Sequence, residues 1–339
     1  MRINVIGPNS KRYSVGGIEY AAKRLCTELN RQGHQADLNG KDDISTYDVY
    51  DIHFGFSKRF LKKVKKRSTA VVHAHAQPAD MVGGVWGFRF LKFAITPYFR
   101  SYYNKAPSII TPSQFAVDSL RGLGIEVNMI EPISNGLPLE KFPMVTENSR
   151  STARENLVTK HGLPPNKSIV GGLGSLFPRK GIKDMVEIAK EMPEIEFIWV
   201  GKAQASYPRW AVMRSLGKLP DNFRFLGYID DIMDFYHGID LCFIPSYIEM
   251  QGLTNLEAAA SGCPMLLRDI PVYNWLKDGV NCMKGSSNEE FKDKIHFMLN
   301  HVTTSMISKA SQDVKSHDIK LTSKKVITHY QKAVDGEFS

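Results

Sequence analysis

Residues 243–267 read F-I-P-S-Y-I-E-M-Q-G-L-T-N-L-E-A-A-A-S-G-C-P-M-L-L, and this stretch decides the fold. The apolar run Leu241 to Ile244 stops at Pro245-Ser246, and a polar loop with Glu249 and Gly252 follows. Small residues then predict a helix over 255–261, ended by Gly262 and Pro264 in the usual order. A second apolar run, 264–267, begins at once. Strand, loop, helix and strand in so short a span is the repeat of a parallel α/β sheet. The helix start also makes an anion site, because first-turn N–H groups lack partners and the dipole is positive there. Gly252 lets backbone approach a ligand, and Gly252, Leu253 and Thr254 can aim their amides at phosphate oxygens. Glu249 precedes the loop and Glu257 lies one turn into the helix; carboxylates accept hydrogen bonds in pairs and suit vicinal sugar hydroxyls. Thr254-x-x-Glu257 also reads as a capping box, a role compatible with ligand binding.

Outward from this stretch the same unit recurs. Residues 2–7 predict a buried strand, followed by the loop P-N-S-K-R-Y-S-V-G-G and a helix with Ile18, Ala21, Ala22, Leu25 and Leu29 on one face. Further strands are expected at 48–53, 70–73, 108–111 and 127–130. After a polar linker over 143–151 the pattern restarts, with strands at 168–173, 196–201, 223–227, 241–244 and 264–267. The alternation with helices means parallel sheets covered on both faces, binding ligands at the carboxyl ends of strands. Residues 321–333 have helical spacing. The division expected is 1–145, 146–316 and a closing helix within 317–339.

The ordered pattern P-S-x-x-E-x-x-G-L-x-x-L-E-A-x-A-x-G-x-P over 245–264 resembles the nucleotide-sugar site of the family 4 retaining glycosyltransferases. The two-half layout is similar to the α/β GT-B fold of that family, two Rossmann-like domains facing across a cleft with a C-terminal helix returning to the first. The resemblance spans essentially the whole chain. It implies transfer of a hexose from a nucleoside-diphosphate sugar, a UDP-sugar first, to a hydroxyl with the anomeric configuration kept. The leaving phosphate then takes the acceptor's proton on the same face, so no carboxylate nucleophile is sought and the two-carboxylate hydrolase scheme does not apply. The acceptor classes implied are a lipid or a lipid-linked glycan.

Residue roles follow from the same resemblance. Glu257 matches the glutamate that holds the ribose hydroxyls, and Glu249 the one facing the sugar. Lys180, in P-R-K-G, resembles the lysine that pairs with the donor diphosphate. Where the family has G-R-L this chain has Gly174-Ser175-Leu176; Arg179 is the candidate replacement for the missing guanidinium. Gly16-Gly17 resemble the glycine loop beside the donor phosphates; neither they nor Gly171–Gly174 have the G-x-G-x-x-G spacing of a dinucleotide site. His75, at the end of V-V-H-A-H, is the match for the family's histidine, with His73 the runner-up. An H-x-H pair suggests metal, yet no carboxylate or cysteine is spaced to complete a site, so no metal is expected and His53 is read as structural. Asp230, Asp231 and Asp234 are not D-x-D; they are expected to cap a helix, with Tyr228 near the base. Lysine, arginine and helix dipoles then offset the diphosphate charge without a metal or other cofactor.

Composition supports an ordinary globular chain: 339 residues, 42% hydrophobic, enough for two packed cores. A net charge of +9 invites an anionic partner. The basic residues crowd into S-K-R-F-L-K-K-V-K-K-R, 57–67, upstream of the aromatic run W-G-F-R-F-L-K-F. No nucleic-acid motif accompanies them, so an anionic membrane surface is expected. Phe60, Leu61, Val64, Trp86, Phe88, Phe90 and Phe93 are then the residues to enter the interface. The start M-R-I-N-V-I-G reads as a strand and not a signal peptide, and no apolar run is long enough to span a bilayer. Four scattered cysteines read as buried thiols. A cytoplasmic protein, peripheral at the inner membrane face, is the expectation. Two rivals stay open: a non-catalytic protein of the same fold that binds a sugar nucleotide, favoured by Ser175, and a nucleotide-sugar epimerase.

Overall fold

The computed structural model describes residues 1–8, 16–53, 57–78, 86, 88–204, 206–301 and 304–338, without the side chains of 88–94. The chain forms two compact units, one of Met1–Val82, Gly87–Pro138 and His317–Ser339, the other of Gly83–Trp86 and Leu139–Ser316.

The first unit is a six-stranded parallel sheet of β1 (Arg2–Ile6), β2 (Gln35–Leu38), β3 (Val49–Ile52), β4 (Thr69–His73), β5 (Ser108–Thr111) and β6 (Ile130–Pro132), in the order β2-β1-β3-β4-β5-β6. Its central strands β3, β4 and β5 are buried along nearly their whole length because helices cover both faces. On one face α1 (Gly17–Arg31) and the C-terminal helix Ile319–Val334 pack Ala22, Leu25, Leu29, Val326 and Tyr330 onto Val5, Val49 and Val71. On the other, α2 (Lys58–Val64), α3 (Phe88–Tyr103) and α4 (Gln114–Gly122) contribute Leu61, Val64, Tyr102, Tyr103 and Leu120. Strand β2 was not expected, since Q-A-D-L is short and half polar. Strand β6 falls at 130–132, because the ladder with β5 starts at the Ile109–Ile130 pair.

The second unit holds β7 (Ile169–Leu173), β8 (Glu196–Val200), β9 (Phe223–Gly227), β10 (Leu241–Ile244), β11 (Met265–Arg268) and the unexpected β12 (Met283–Gly285), all parallel. Helices α5 (Glu147–His161), α6 (Ile182–Glu191), α7 (Arg209–Leu216), α8 (Ile232–Gly238), α9 (Leu253–Ser261), α10 (Asn288–Asn300) and α11 (Thr304–Asp313) surround them. Spatial order is β12-β11-β10-β7-β8-β9. The chain therefore winds outward from β7 to β9 and restarts at β10 beside β7, which is the doubly wound order, with its crevice between β7 and β10. The glycines of G-G-L-G serve packing: a Cβ at Gly171 would stand 2.6 Å from the Phe235 ring, and one at Gly172 2.5 Å from Trp199.

Candidate nucleotide-sugar site

The loops after β7 and β10 are locked together at that crevice. After β7 a short 3-10 turn, Pro178–Lys180, ends at Gly181 with φ +76°. A Cβ there would lie 2.3 Å from the Pro245 carbonyl oxygen, so only glycine lets this turn reach the loop after β10. The Tyr247 amide donates to the Arg179 carbonyl at 2.9 Å, and Arg179 Nη1 donates to the Ile248 carbonyl at 3.1 Å. Behind them Arg268 Nη2 donates to Asp184 Oδ2 at 2.6 Å, its Nε to the Pro245 carbonyl at 3.0 Å, and its guanidinium covers Tyr247. Sequence reasoning missed this pair; its signal is a lone arginine ending the apolar run M-L-L-R.

The locked loops bring Lys180 Nζ to 2.5 Å from Glu249 Oε1 and Arg179 Nη1 to 3.7 Å from Oε2. Glu249 is buried. Burial pushes its carboxyl up, but Lys180 and Arg179 outweigh that and hold it below the usual carboxylate range. One buried negative charge thus sits between two positive ones. Lys180 also lies over Gly174, whose φ of +145° belongs to glycine. Ser175 is half-buried and accepts from Gln204 Nε2 at 3.0 Å, so a short neutral side chain stands where the resemblance implies arginine.

Helix α9 starts at Leu253, with Gly252 as a cap at φ +78° that supplies no side-chain bond. The capping box expected at Thr254-x-x-Glu257 does not form, because the helix begins early enough to put Thr254 inside its first turn. Glu257 instead accepts from the Tyr236 hydroxyl at 2.9 Å, and both are buried. Asn255 Nδ2 ties the helix to its loop by donating to the Gly252 and Gln251 carbonyls at 2.7 and 3.0 Å. Asp231 caps α8 by accepting from the Met233 amide, as expected, and Asp234 accepts from Asn156 and Lys160. Tyr228 is exposed beneath the Lys202 ammonium.

In the first unit Gly16 caps α1 with extended backbone and Gly17 opens the helix; residues 9–15 of that loop lie outside the described residues. At the carboxyl ends of β3 and β4 three imidazoles gather, which corrects the expectation that His73 and His75 lack partners and that His53 stands apart. Ring centroids of His53 and His73 are 4.2 Å apart, of His53 and His75 4.9 Å, and of His73 and His75 4.7 Å. His53 Nε2 donates to Asp51 Oδ2 at 2.7 Å, and His73 Nδ1 lies 3.4 Å from the same oxygen. The Tyr330 hydroxyl, from the C-terminal helix, donates to that oxygen at 2.5 Å. Burial lowers the His73 pKa to about 4 and that of His75 well below the usual histidine value, so both rings are neutral near pH 7.

The basic stretch forms α2 with Ser57 as its cap, accepting from the Phe60 amide. Arg59, Lys62, Lys63, Lys65, Lys66 and Arg67 are exposed. Leu61 and Val64, however, are buried in the core and Phe60 packs against it, so they hold the helix to the sheet and are not available to a membrane. The side chains of Phe88, Phe90 and Phe93 lie outside the described residues. Trp86, in the second unit, is exposed and packs edge-on to the exposed Trp210 at 5.6 Å. Among the described residues no helix is long and apolar enough to cross a membrane. All four cysteines are free and buried.

Known proteins share this family and fold. The family described as glycosyl transferases group 1 matches residues 153–312. A processive diacylglycerol alpha-glucosyltransferase of Acholeplasma laidlawii is 30% identical over 328 residues, covering 96% of this chain and 95% of its own. An alpha-galactosylglucosyldiacylglycerol synthase of Streptococcus pneumoniae is 28% identical over 87% of this chain and 79% of its own. The structure of Anabaena Alr3699/HepE in complex with UDP and glucose superposes with a TM-score of 0.78 at 17% identity, over 98% of this chain and 99% of that one. The chain belongs to the glycosyl transferases group 1 and has the paired Rossmann-like units of the GT-B fold.

Proposed function

We propose that this glycosyltransferase moves a hexose from a UDP-sugar to the hydroxyl of a glycerolipid, with retention of the anomeric configuration and without a divalent ion on the diphosphate. The observation that carries the reading is the Lys180–Glu249 pair at the β7/β10 crevice, next to the start of α9. The diphosphate takes the amides of Gly252, Leu253 and Thr254 together with Lys180, and charge growing on it as the sugar leaves is offset by Lys180, Arg179 and the helix dipole. Asp231 and Asp234 are engaged in capping and ion pairing, which supports a site that relies on these cations. Glu257 holds the ribose hydroxyls and Glu249 the hexose. The bond from the anomeric carbon to the phosphate oxygen breaks, the bond to the acceptor oxygen forms on the same face, and the acceptor's proton passes to the leaving phosphate. On the family resemblance His75, Gly16, Gly17 and Ser175 also serve the donor. The lipid acceptor rests on relatives named for diacylglycerol glucosylation. Incubation with UDP-glucose, with and without diacylglycerol, tests this: UDP release that depends on lipid supports transfer, and none with any sugar nucleotide favours a binding protein.

The protein meets its acceptor as a peripheral protein on the anionic, cytoplasmic membrane face. Six exposed basic residues of 59–67 support this, each worth about 1 kcal/mol near an anionic surface. The attraction is electrostatic, since the apolar side of α2 is buried.

A further inference from the structure

We propose that His53, His73 and His75 form a binding site for one divalent transition-metal ion, with zinc the ion whose ligand preference fits best. The inference goes beyond the transfer reading, which uses His75 alone of the three. It is argued from the imidazole geometry of the first unit and not from Lys180, Arg179 or Glu249 of the second. One ligating nitrogen from each histidine lies within 4.8 Å of the others. The separations run from 2.7 Å to at most 4.8 Å, on either side of the about 3.3 Å that nitrogens 2.0–2.1 Å from a tetrahedral ion require. The stacked rings must turn about their side-chain bonds to aim their lone pairs at one ion.

Asp51 sets the tautomers for ligation. His53 gives its Nε2 proton to Asp51 Oδ2, so its Nδ1 carries a lone pair. His73 points Nδ1 to the same oxygen, which leaves its lone pair on Nε2. That Nε2 is buried and has no hydrogen-bond partner among the described residues, and His73 is 3% exposed. A buried acceptor without a donor is costly, and a metal ion supplies what it lacks. His75 Nε2 stands 2.7 Å from His53 Nδ1, where the two nitrogens share a proton in the ion-free chain. Releasing that proton to solvent frees both lone pairs, and the rings part to about 3.3 Å around an ion. A carboxylate that orients imidazoles from behind is the usual second layer of a histidine metal site, and here one carboxylate serves two rings, itself held by Tyr330. An all-imidazole set excludes calcium and magnesium, which take oxygen, and suits zinc, cobalt or nickel. Three ligands leave a tetrahedral ion one open position, at the carboxyl ends of β3 and β4.

The experiment uses the full chain, stripped with chelator. Zinc is titrated by calorimetry, and cobalt by its visible absorption as an independent readout of imidazole ligation. One equivalent should bind saturably. His73→Gln and His75→Gln should each weaken binding by at least about tenfold, and Asp51→Asn by about 10- to 100-fold. Melting in chelator, unchanged for at least one histidine variant, shows that the loss is of the site and not of the fold; His75, only half-buried, is the variant that should meet this condition. Absence of saturable zinc and cobalt binding overturns the proposal, as does binding of wild-type affinity in His73→Gln and His75→Gln.

Discussion

The Lys180 ammonium and the Glu249 carboxylate meet 2.5 Å apart where the second sheet reverses its strand order. The two come from loops separated by nearly seventy positions and joined through Gly181, whose missing side chain admits the Pro245 carbonyl. Lys180→Ala should lower both turnover and donor affinity. It should also destabilise the unit, by up to about 3–5 kcal/mol, because Glu249 loses its nearer cation and is left with the more distant Arg179 and the uncharged Ser246 hydroxyl. Combining it with Glu249→Ala separates the two effects: denaturant unfolding should recover in the double variant while turnover does not. Near wild-type turnover in Lys180→Ala would move the anion site elsewhere.

Arg179 tests whether a second cation compensates for Ser175. Its guanidinium is bonded to the Ile248 carbonyl and lies beside Glu249, so Arg179→Ala should reduce turnover far more than loss of an exposed arginine such as Arg59. Equal, small effects of the two substitutions in a donor-saturated assay would deny it that role.

Glu257→Gln should weaken UDP binding by about 1.5–3 kcal/mol, the range for hydrogen bonds to a charged group, while the fold survives. The Tyr236 hydroxyl can still donate to the amide oxygen. Unchanged UDP affinity in calorimetry would leave Glu257 as a packing partner of Tyr236.

Much of this was legible in the sequence. The alternation of apolar runs and helices announced both sheets, and the stretch 243–267 announced the strand, loop and helix around Glu249 and Gly252. What escaped depends on contacts between distant segments. Strands β2 and β12 are short and half polar, and only their neighbours complete them. Thr254-x-x-Glu257 has the spacing of a cap, but Gly252 starts the helix and Tyr236 claims the carboxylate. The apolar trio on α2 suggested an interfacial face because a sequence does not say which side of a short helix meets a sheet. The Asp51, His53, His73 and His75 cluster depends on β3 lying beside β4, a pairing that periodicity leaves open.

Reversing Lys62, Lys63, Lys65 and Lys66 to glutamate should abolish sedimentation with liposomes containing acidic lipid. The melting temperature should hold, since all four side chains are exposed. Wild-type binding should weaken as salt rises and the charges are screened. A wild-type protein that ignores such liposomes at low salt would make the basic stretch a solvated face.

His317 should make the first unit sensitive to acid. Burial, with Lys325 nearby, lowers its pKa to about 4, and its Nδ1 lies 2.9 Å from the Ser134 hydroxyl. A depressed histidine stays neutral in the folded chain while the unfolded chain takes up a proton below about pH 6.5. Its contribution is therefore fully present above pH 6.5 and is lost as pH falls toward 4, by at most about 3 kcal/mol. His317→Asn should flatten the loss of unfolding free energy between pH 7 and 5 relative to wild type. Parallel curves would assign the acid sensitivity to other groups.

The most direct test is the anomeric configuration of a lipid product. Purified protein is incubated with UDP-glucose and diacylglycerol in vesicles containing acidic lipid, and the glycolipid is examined by proton NMR. The account predicts an α-linked glucosyl lipid, formed in equal amount to the UDP released and much reduced with Lys180→Ala. A β-linked product, or UDP release with no glycosylated lipid, would contradict it.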